Sequence, residues 1–144
     1  MIGRTLAIDL GDRRVGLAVS DPLGVTAQGL PTLSRRGDPI DLPALVALCA
    51  EREVSRVVVG LPRNMDGSEG PRAKLCREFA RRLREALGLP VYLWDERLST
   101  AEAERVLLIA DVSRGKRRDV IDRMAAQIIL QGYLGAGQPE NDPA

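Results

Sequence analysis

Alternating apolar and polar positions open the chain and predict a β-hairpin. From Thr5 to Ser20 (TLAIDLGDRRVGLAVS) two alternating segments flank a turn at 11–13, as expected for strands whose successive side chains point to opposite faces. Asp9 falls in the middle of the first strand, where aspartate is disfavoured and costly to bury without a partner. A bound cation, or a cluster that binds one, explains this placement. The alternative is that the Asp9 carboxylate caps the turn by accepting a hydrogen bond.

Continuous apolar segments and apolar stripes at helical spacing predict the later elements. Three further strands are expected at 24–33, 54–61 and 91–95. Four helices are expected at 41–52, 71–87, 99–110 and 116–134. This order predicts an α/β domain with a mixed five-stranded sheet, in which a three-strand antiparallel meander is extended by parallel strands, with helices on both faces.

Local signals predict where the helices begin and which faces they bury. Asp41 is the expected N-cap of the first helix, and Ser99 with Glu102 forms the expected capping box of the third. The second helix is expected to begin at Pro71. Its expected inner face consists of Leu75, Phe79, Leu83 and Ala86. The polar tail at 135–144 is expected to be disordered, which leaves a single domain at 1–134.

Composition narrows the chemistry that the chain can use. The 144 residues are 44% hydrophobic and 28% charged, without an apolar segment of membrane-spanning length or the layout of a signal peptide, so we expect a cytoplasmic protein. Cys49 and Cys76 lie on apolar helical stripes and are expected to fill the core. The chain has no histidine, which excludes Ser-His-Asp catalysis and histidine-ligated zinc. Carboxylates with hard metal ions are the leading remaining catalytic groups.

Acidic residues stand at three positions that the predicted fold brings to one edge. Asp9 lies on a strand that we expect to be central, and Glu96 follows the fifth strand, at the edge where parallel sheets gather their sites. Asp122 lies in the first turns of the last helix, and the small residues after it allow close packing on the sheet. Three carboxylates in one pocket repel one another unless divalent cations lie between them. For Asp122 alone, a favourable interaction with the helix dipole is the alternative.

Mg²⁺ or Mn²⁺ fits such an oxygen-rich site, and two ions roughly 4 Å apart would support phosphodiester cleavage. Asp95 and Asp119 are candidate accessory acids, because each lies close in sequence to a member of the set. Basic residues accompany the acids and predict contacts to a phosphate backbone. They are Arg13, Arg14, Arg97, Arg114, Lys116, Arg117 and Arg118. Aromatic residues are scarce, so we expect recognition of backbone and shape rather than base sequence.

Four motifs in order resemble the YqgF/RuvX family: AIDLGDRRVGLAVSD, VVVGLPRNMDGSEG, DERLST and VIDRMAAQIILQGYL. Its members are described as Holliday-junction-resolvase-like proteins and as pre-16S rRNA nucleases. The resemblance covers nearly the whole chain except the tail. It implies a ribonuclease H-like fold, with Asp9, Glu96 and Asp122 as the catalytic, metal-binding acids. Asp95 lies within the DER motif, and Asp119 has no firm counterpart. The loop 64–70 matches a family signature that either binds phosphate through backbone N–H groups or makes a tight turn.

The leading hypothesis is therefore a metal-dependent endonuclease of structured nucleic acid. Its expected partners are precursor 16S rRNA or branched DNA, without a membrane, and its expected state is a monomer or weak dimer. A second hypothesis is an ATP-binding domain, because Asp9, Gly11 and Gly16 fit the phosphate hairpin of actin-like kinases. Such proteins need two hairpins, and this chain supplies one. A third hypothesis is a catalytically silent binding protein on the same scaffold.

Overall fold

The computed structural model describes the backbone of residues 3–98 and 114–144, and the side chains of these residues except 98 and 114–122. Five strands form one sheet. They are β1 (Arg4–Leu10), β2 (Arg14–Ser20), β3 (Ala27–Ser34), β4 (Val54–Leu61) and β5 (Val91–Asp95). The sheet has the order β3-β2-β1-β4-β5, so β1 is central. The β1–β2 and β2–β3 pairs are antiparallel, and the β1–β4 and β4–β5 pairs are parallel. The predicted mixed sheet is confirmed.

Helices cover both faces of the sheet. In the described part of the chain they are α1 (Asp38–Glu51), α2 (Pro71–Leu87) and α3 (Arg114–Gly135). Residues of α1 and α2 pack with one set of strand side chains, including Leu6, Ile8 and Val57. Residues of α3 pack with the opposite set, including Ala7 and Val58. The predicted helix at 99–110, with its Ser99–Glu102 capping box, lies outside the described residues.

The buried face of α2 uses smaller residues than the sequence analysis predicts. Phe79 and Leu83 are buried as expected, but Leu75 is 64% exposed and Ala86 is also exposed. The remaining buried positions are Ala73, Cys76 and Ala80. These residues recur at helical spacing with Phe79 and Leu83, and their small side chains let α2 lie close to the sheet.

Asp41 is not the N-cap of α1, which begins three residues earlier at Asp38. Its carboxylate is buried and accepts hydrogen bonds from the backbone N–H groups of Arg36 (3.1 Å) and Gly37 (3.2 Å). It also pairs with Arg35 at 3.4 Å. An acid inside the first turn that reaches back to the N-cap satisfies donors that the helix leaves unpaired.

The third strand begins at Ala27 rather than at the predicted Gly24. The residues before it form a loop around Asp21. The Asp21 carboxylate accepts backbone hydrogen bonds from Leu23 (3.2 Å), Val25 (2.7 Å) and Thr26 (2.7 Å). These bonds hold the chain in a turn, because an aspartate side chain competes with a strand for the neighbouring backbone donors.

The C-terminal tail is ordered, so the expectation of a disordered tail is wrong. Leu93 N–H donates to the carbonyl of Asp142 (2.9 Å), and Ala144 N–H donates to the carbonyl of Val91 (2.8 Å). Tyr92 and Pro143 also form an antiparallel β-bridge. The tail therefore lies along β5 and covers the edge of the sheet, where backbone groups would otherwise lack partners.

Both cysteines lie in the core, as expected. Cys49 and Cys76 are buried and are free thiols. Burial raises the pKa of each thiol to about 11, so both stay protonated at neutral pH. None of the helices in the described ranges is long and apolar enough to cross a membrane.

Candidate active site

Asp9 lies on the central strand, near the edge at which β1, β4 and β5 end. It is paired in register with Gly16 of β2, and it shares a strand face with Ala7, which packs under α3. The following turn is held by other groups. Gly11 N–H donates to the carbonyl of Arg14 (2.9 Å), and Arg72 donates to the carbonyl of Leu10 (2.9 Å). The side chain of Asp9 shares a hydrogen bond with the carboxyl group of Glu96.

Glu96 begins a short 3-10 helix (Glu96–Leu98) directly after β5. Burial raises the pKa of its carboxyl to about 8, and the negative charge of Asp9 and a hydrogen bond with the Asp9 side chain add to the rise. The positive charge of Arg72 opposes it in part. At neutral pH the pair therefore holds a proton that a divalent cation would displace.

Gly60 of β4 makes room for the Glu96 side chain. A Cβ at Gly60 would collide with Oε1 of Glu96 and would lie 2.7 Å from Cδ1 of Ile129 on α3. The carboxylate therefore lies against the bare backbone of β4. An isolated glycine in a strand pattern often marks such a close approach, and the VVVGL sequence carries this signal. Gly60 is not among the predicted site residues, although this signal marks it.

Aromatic packing connects the end of β5 to α3. The Trp94 ring meets the Tyr133 ring edge to face, with centroids 5.8 Å apart. A Cβ at Gly132 would lie 3.2 Å from the indole nitrogen of Trp94, so this glycine allows the indole to lie on the helix backbone. These contacts place β5, and with it Glu96, at a defined distance from α3.

Arg97 and Asp95 form their own ion pair beside Glu96. Arg97 Nη2 lies 2.6 Å from Asp95 Oδ2, and Nε donates to the same oxygen at 2.8 Å. Although burial opposes the change, hydrogen bonds from Arg97 lower the pKa of Asp95. Arg97 also borders the loop between β4 and α2, since its Nη1 would lie 3.4 Å from a Cβ at Gly67. The charge of Arg97 is thus shared with a neighbouring acid.

The turn after Asp9 carries two of the other predicted basic residues. Arg13 is exposed at the turn, and Arg14 opens β2 opposite Ser34. Arg72 of α2 also holds this turn, although it is not among the predicted site residues. Its Nη1 lies 2.8 Å from Asp12 Oδ1, and this hydrogen bond lowers the pKa of the Asp12 carboxyl. Nothing local marks Arg72, because its partners lie about sixty positions away in the chain.

Six of the predicted site residues lie on the first nine residues of α3, whose side chains are outside the described part of the structure. They are Arg114, Lys116, Arg117, Arg118, Asp119 and Asp122. Asp122 is well past the first turn of α3, where the helix dipole acts, so the dipole explains its position poorly. Among the side chains that are described, no group of three or more His, Cys, Asp or Glu residues is placed to hold a metal ion.

These observations define a class of protein. A β3-β2-β1-β4-β5 sheet with helices on both faces, and with an acid on its central strand, is a ribonuclease H-like fold. The chain is similar to Thermus thermophilus RuvC, solved with a Holliday junction substrate, with a TM-score of 0.57 at 17% identity over 98% of this chain and 99% of that one. It is also similar to the fowlpox virus Holliday junction resolvase, with a TM-score of 0.52 at 13% identity over 92% and 99%. At such identities the likeness establishes the fold.

The chain belongs to the RuvX family, described as Holliday junction resolvase, whose sequence profile matches residues 3–136. Curated relatives from several bacteria carry the name "Putative pre-16S rRNA nuclease". The Myxococcus xanthus relative is 58% identical over 94% of this chain and 90% of its own length. The Halothermothrix orenii relative is 55% identical over 91% and 94%. The family resemblance predicted from the four motifs is confirmed.

Proposed function

We propose that this protein is a divalent-metal-dependent nuclease that hydrolyses phosphodiester bonds in structured nucleic acid, with precursor 16S rRNA as its substrate. The observation that carries the proposal is the Asp9–Glu96 pair. Burial, together with the charge of Asp9 and a hydrogen bond with its side chain, raises the pKa of Glu96 to about 8. Placing two carboxyl groups together in this way is costly in a folded protein. Strongly perturbed pKa values of this kind cluster at functional sites.

The donor atoms of this pair suit Mg²⁺ or Mn²⁺, which prefer carboxylate oxygen. Asp9 and Glu96 would hold the ions, and Asp122 would join them. Asp122 is four residues before Ala126, which is buried against the sheet, and positions four apart share a helix face. Bound Mg²⁺ or Mn²⁺ supplies activation of a water molecule and stabilisation of the leaving oxygen in such sites.

The remaining residues bind and orient the nucleic acid. Arg13 presents an exposed cation at the turn beside Asp9, where a phosphate next to the scissile bond would lie. Arg72 bonds the backbone of that turn and so fixes its position relative to α2. The basic positions at the start of α3 extend the predicted phosphate-binding track.

Branched DNA is the second candidate substrate, because the family description and the resolvase fold both favour it. Precursor rRNA takes precedence because it stands in the names of relatives that are more than half identical to this chain. The test incubates purified protein and Mn²⁺ with matched single-stranded RNA, precursor 16S rRNA and four-way DNA junctions. We expect wild-type protein to cleave the precursor rRNA and Glu96→Gln to leave it intact. Glu140→Gln is the control, because it neutralises an exposed acid outside the site, and it should cleave as wild type does. Equal cleavage by Glu96→Gln would contradict the proposal. Cleavage of four-way junctions alone would show that the substrate is branched DNA and not precursor rRNA.

A further inference from the structure

The C-terminal tail makes an ion-pair cluster with the loop between β4 and α2 (62–70), which borders the candidate active site. Arg77 of α2 lies between Glu69 of the loop and Asp142 of the tail. Its Nη2 donates to Glu69 Oε2 at 2.7 Å, and its Nη1 donates to Asp142 Oδ1 at 3.1 Å. Arg63, at the start of the loop, has its Nη2 3.7 Å from a carboxylate oxygen of both acids. We call these four residues the tail clamp.

The tail reaches the clamp along a defined path. Thr5 Oγ1 lies 2.7 Å from Gln138 Oε1, and Arg56 donates to the Gln138 carbonyl at 2.9 Å. Arg56 also pairs with Glu140 at 2.6 Å. The tail then adds to the edge of β5, with Asp142 as the residue whose carbonyl accepts from Leu93. The Asp142 side chain is thus placed by backbone pairing on one side and by two arginines on the other.

The loop that the clamp holds has its own internal hydrogen bonds and approaches Arg97. Asn64 N–H donates to the carbonyl of Ser68 (2.9 Å), and Gly67 N–H donates to that of Asn64 (2.8 Å). Gly67 adopts a positive φ of 87° and lies against Arg97, the residue after Glu96. The tip residue, Met65, is 91% exposed. These hydrogen bonds close the loop on itself, and its orientation relative to the acids depends on what holds its base.

We propose that Asp142 is a positioning residue, which acts through Arg77 and Arg63 to orient the 62–70 loop for substrate binding. The inference rests on the proposed nuclease function. It assigns a role to a segment that the family profile leaves out, since that match ends at residue 136. Partly buried, bidentate arginine–carboxylate pairs fix geometry more firmly than exposed single pairs. The four clamp side chains are 26–35% exposed.

Asp142→Asn tests the inference, with Glu140→Gln as a matched control and Asp142→Glu as the conservative rescue. Glu140→Gln removes a tail acid that pairs with Arg56 and does not touch the loop. Four quantities are measured in each variant: the thermal midpoint, amide hydrogen exchange over residues 62–70 without substrate, and both KM and kcat for cleavage of precursor 16S rRNA. Substrate affinity is measured in a Glu96→Gln background, which separates binding from chemistry.

We expect Asp142→Asn to speed exchange in the loop and to raise KM by about tenfold with kcat nearly unchanged, since a displaced binding loop weakens substrate contacts. Asp142→Glu should restore part of the loss, and Glu140→Gln should behave as wild type. A fall in thermal midpoint with KM and loop exchange unchanged would overturn the inference, because the tail would then serve stability alone. If wild-type protein neither binds nor cleaves nucleic acid, the proposed function fails and this inference fails with it. If wild-type protein is active and Asp142→Asn keeps the wild-type KM and loop exchange, this inference alone fails.

Discussion

Two carboxylate pairs in this protein meet opposite electrostatic surroundings. In the tail clamp, Glu69 and Asp142 are matched by Arg63 and Arg77, and the hydrogen bond from Arg77 lowers the pKa of Glu69. In the site pair, burial and the charge of Asp9 raise the pKa of Glu96 to about 8. The first pair is neutralised by cations that belong to the chain. In the described part of the chain, the positive charge of Arg72 offsets the second pair only in part, so the comparison indicates that this pair is arranged for an external cation.

The largest effect should come from neutralising an acid of the site pair. Asp9→Asn or Glu96→Gln should each lower kcat by on the order of 10³-fold or more, because a metal site needs every ligand. Glu69→Gln in the tail clamp should act mainly on KM. Single-turnover cleavage of precursor rRNA checks this ranking. Equal losses from Glu69→Gln and Glu96→Gln would erase the distinction between the two pairs.

The site pair should also make the metal-free protein less stable at high pH. Because the pKa of Glu96 is raised from 4.5 to about 8, the folded state binds more protons than the unfolded chain between those values. Stability therefore falls as pH rises through this interval. We expect a loss of about 2–4 kcal/mol, given that one pKa unit corresponds to about 1.4 kcal/mol.

Urea denaturation in EDTA at pH 5 and pH 8 measures this loss. Glu96→Gln should remove most of the difference between the two pH values, whereas Glu69→Gln should leave it in place. A flat dependence in wild-type protein would show that the Glu96 carboxyl is not perturbed.

Gly60 tests the site pair through the backbone of β4, because the missing Cβ leaves the space that the Glu96 side chain occupies beside Asp9. Gly60→Ala should cost about 1–3 kcal/mol of stability, since the added Cβ collides with Glu96 and with Ile129. It should also lower cleavage by moving the Glu96 carboxylate. Gly135→Ala is the matched control, because no atom of the described residues lies within 4 Å of a Cβ there. Urea denaturation and cleavage rates check both, and a neutral Gly60→Ala would contradict the described placement of Glu96.

The smallest effect concerns phosphate contacts beside the site pair. Arg13→Ala should weaken binding of nucleic acid a few-fold and reduce the slope of log affinity against log salt by about 1. Arg52→Ala is the control, because Arg52 lies just before the start of β4, at the end of the sheet opposite the site pair. Fluorescence anisotropy over a salt series measures both variants. An unchanged slope in Arg13→Ala would remove this residue from the binding surface.

Elements set by local signals could be predicted from the sequence. The strand Val54–Leu61 ends where Pro62 follows it, and the helix Pro71–Leu87 ends where Gly88 adopts the left-handed conformation. The meeting of Asp9 with Glu96 followed from strand order, because parallel strands bring their carboxyl ends to one edge.

Features that depend on distant partners could not be predicted. The tail is polar and rich in turn formers, which is typical of disorder, yet Asp142 is held by Arg63 and Arg77, which lie far away in the chain. The residues after Asp41 are typical of a helix, which predicts Asp41 as its N-cap. In the structure its carboxylate instead accepts from the backbone N–H groups of Arg36 and Gly37 and pairs with Arg35. Composition and hydrophobic periodicity do not show which side chains will pair in this way.

Calorimetric titration with Mn²⁺ at pH 7, in two buffers of different ionisation enthalpy, tests the central claim most directly. If the Asp9–Glu96 pair holds a proton that a divalent cation displaces, wild-type protein will bind Mn²⁺ and release close to one proton. Asp9→Asn and Glu96→Gln will lose that binding, while Asp142→Asn will keep it. Mn²⁺ binding of equal strength, with equal proton release, in wild-type protein and Glu96→Gln would contradict the account.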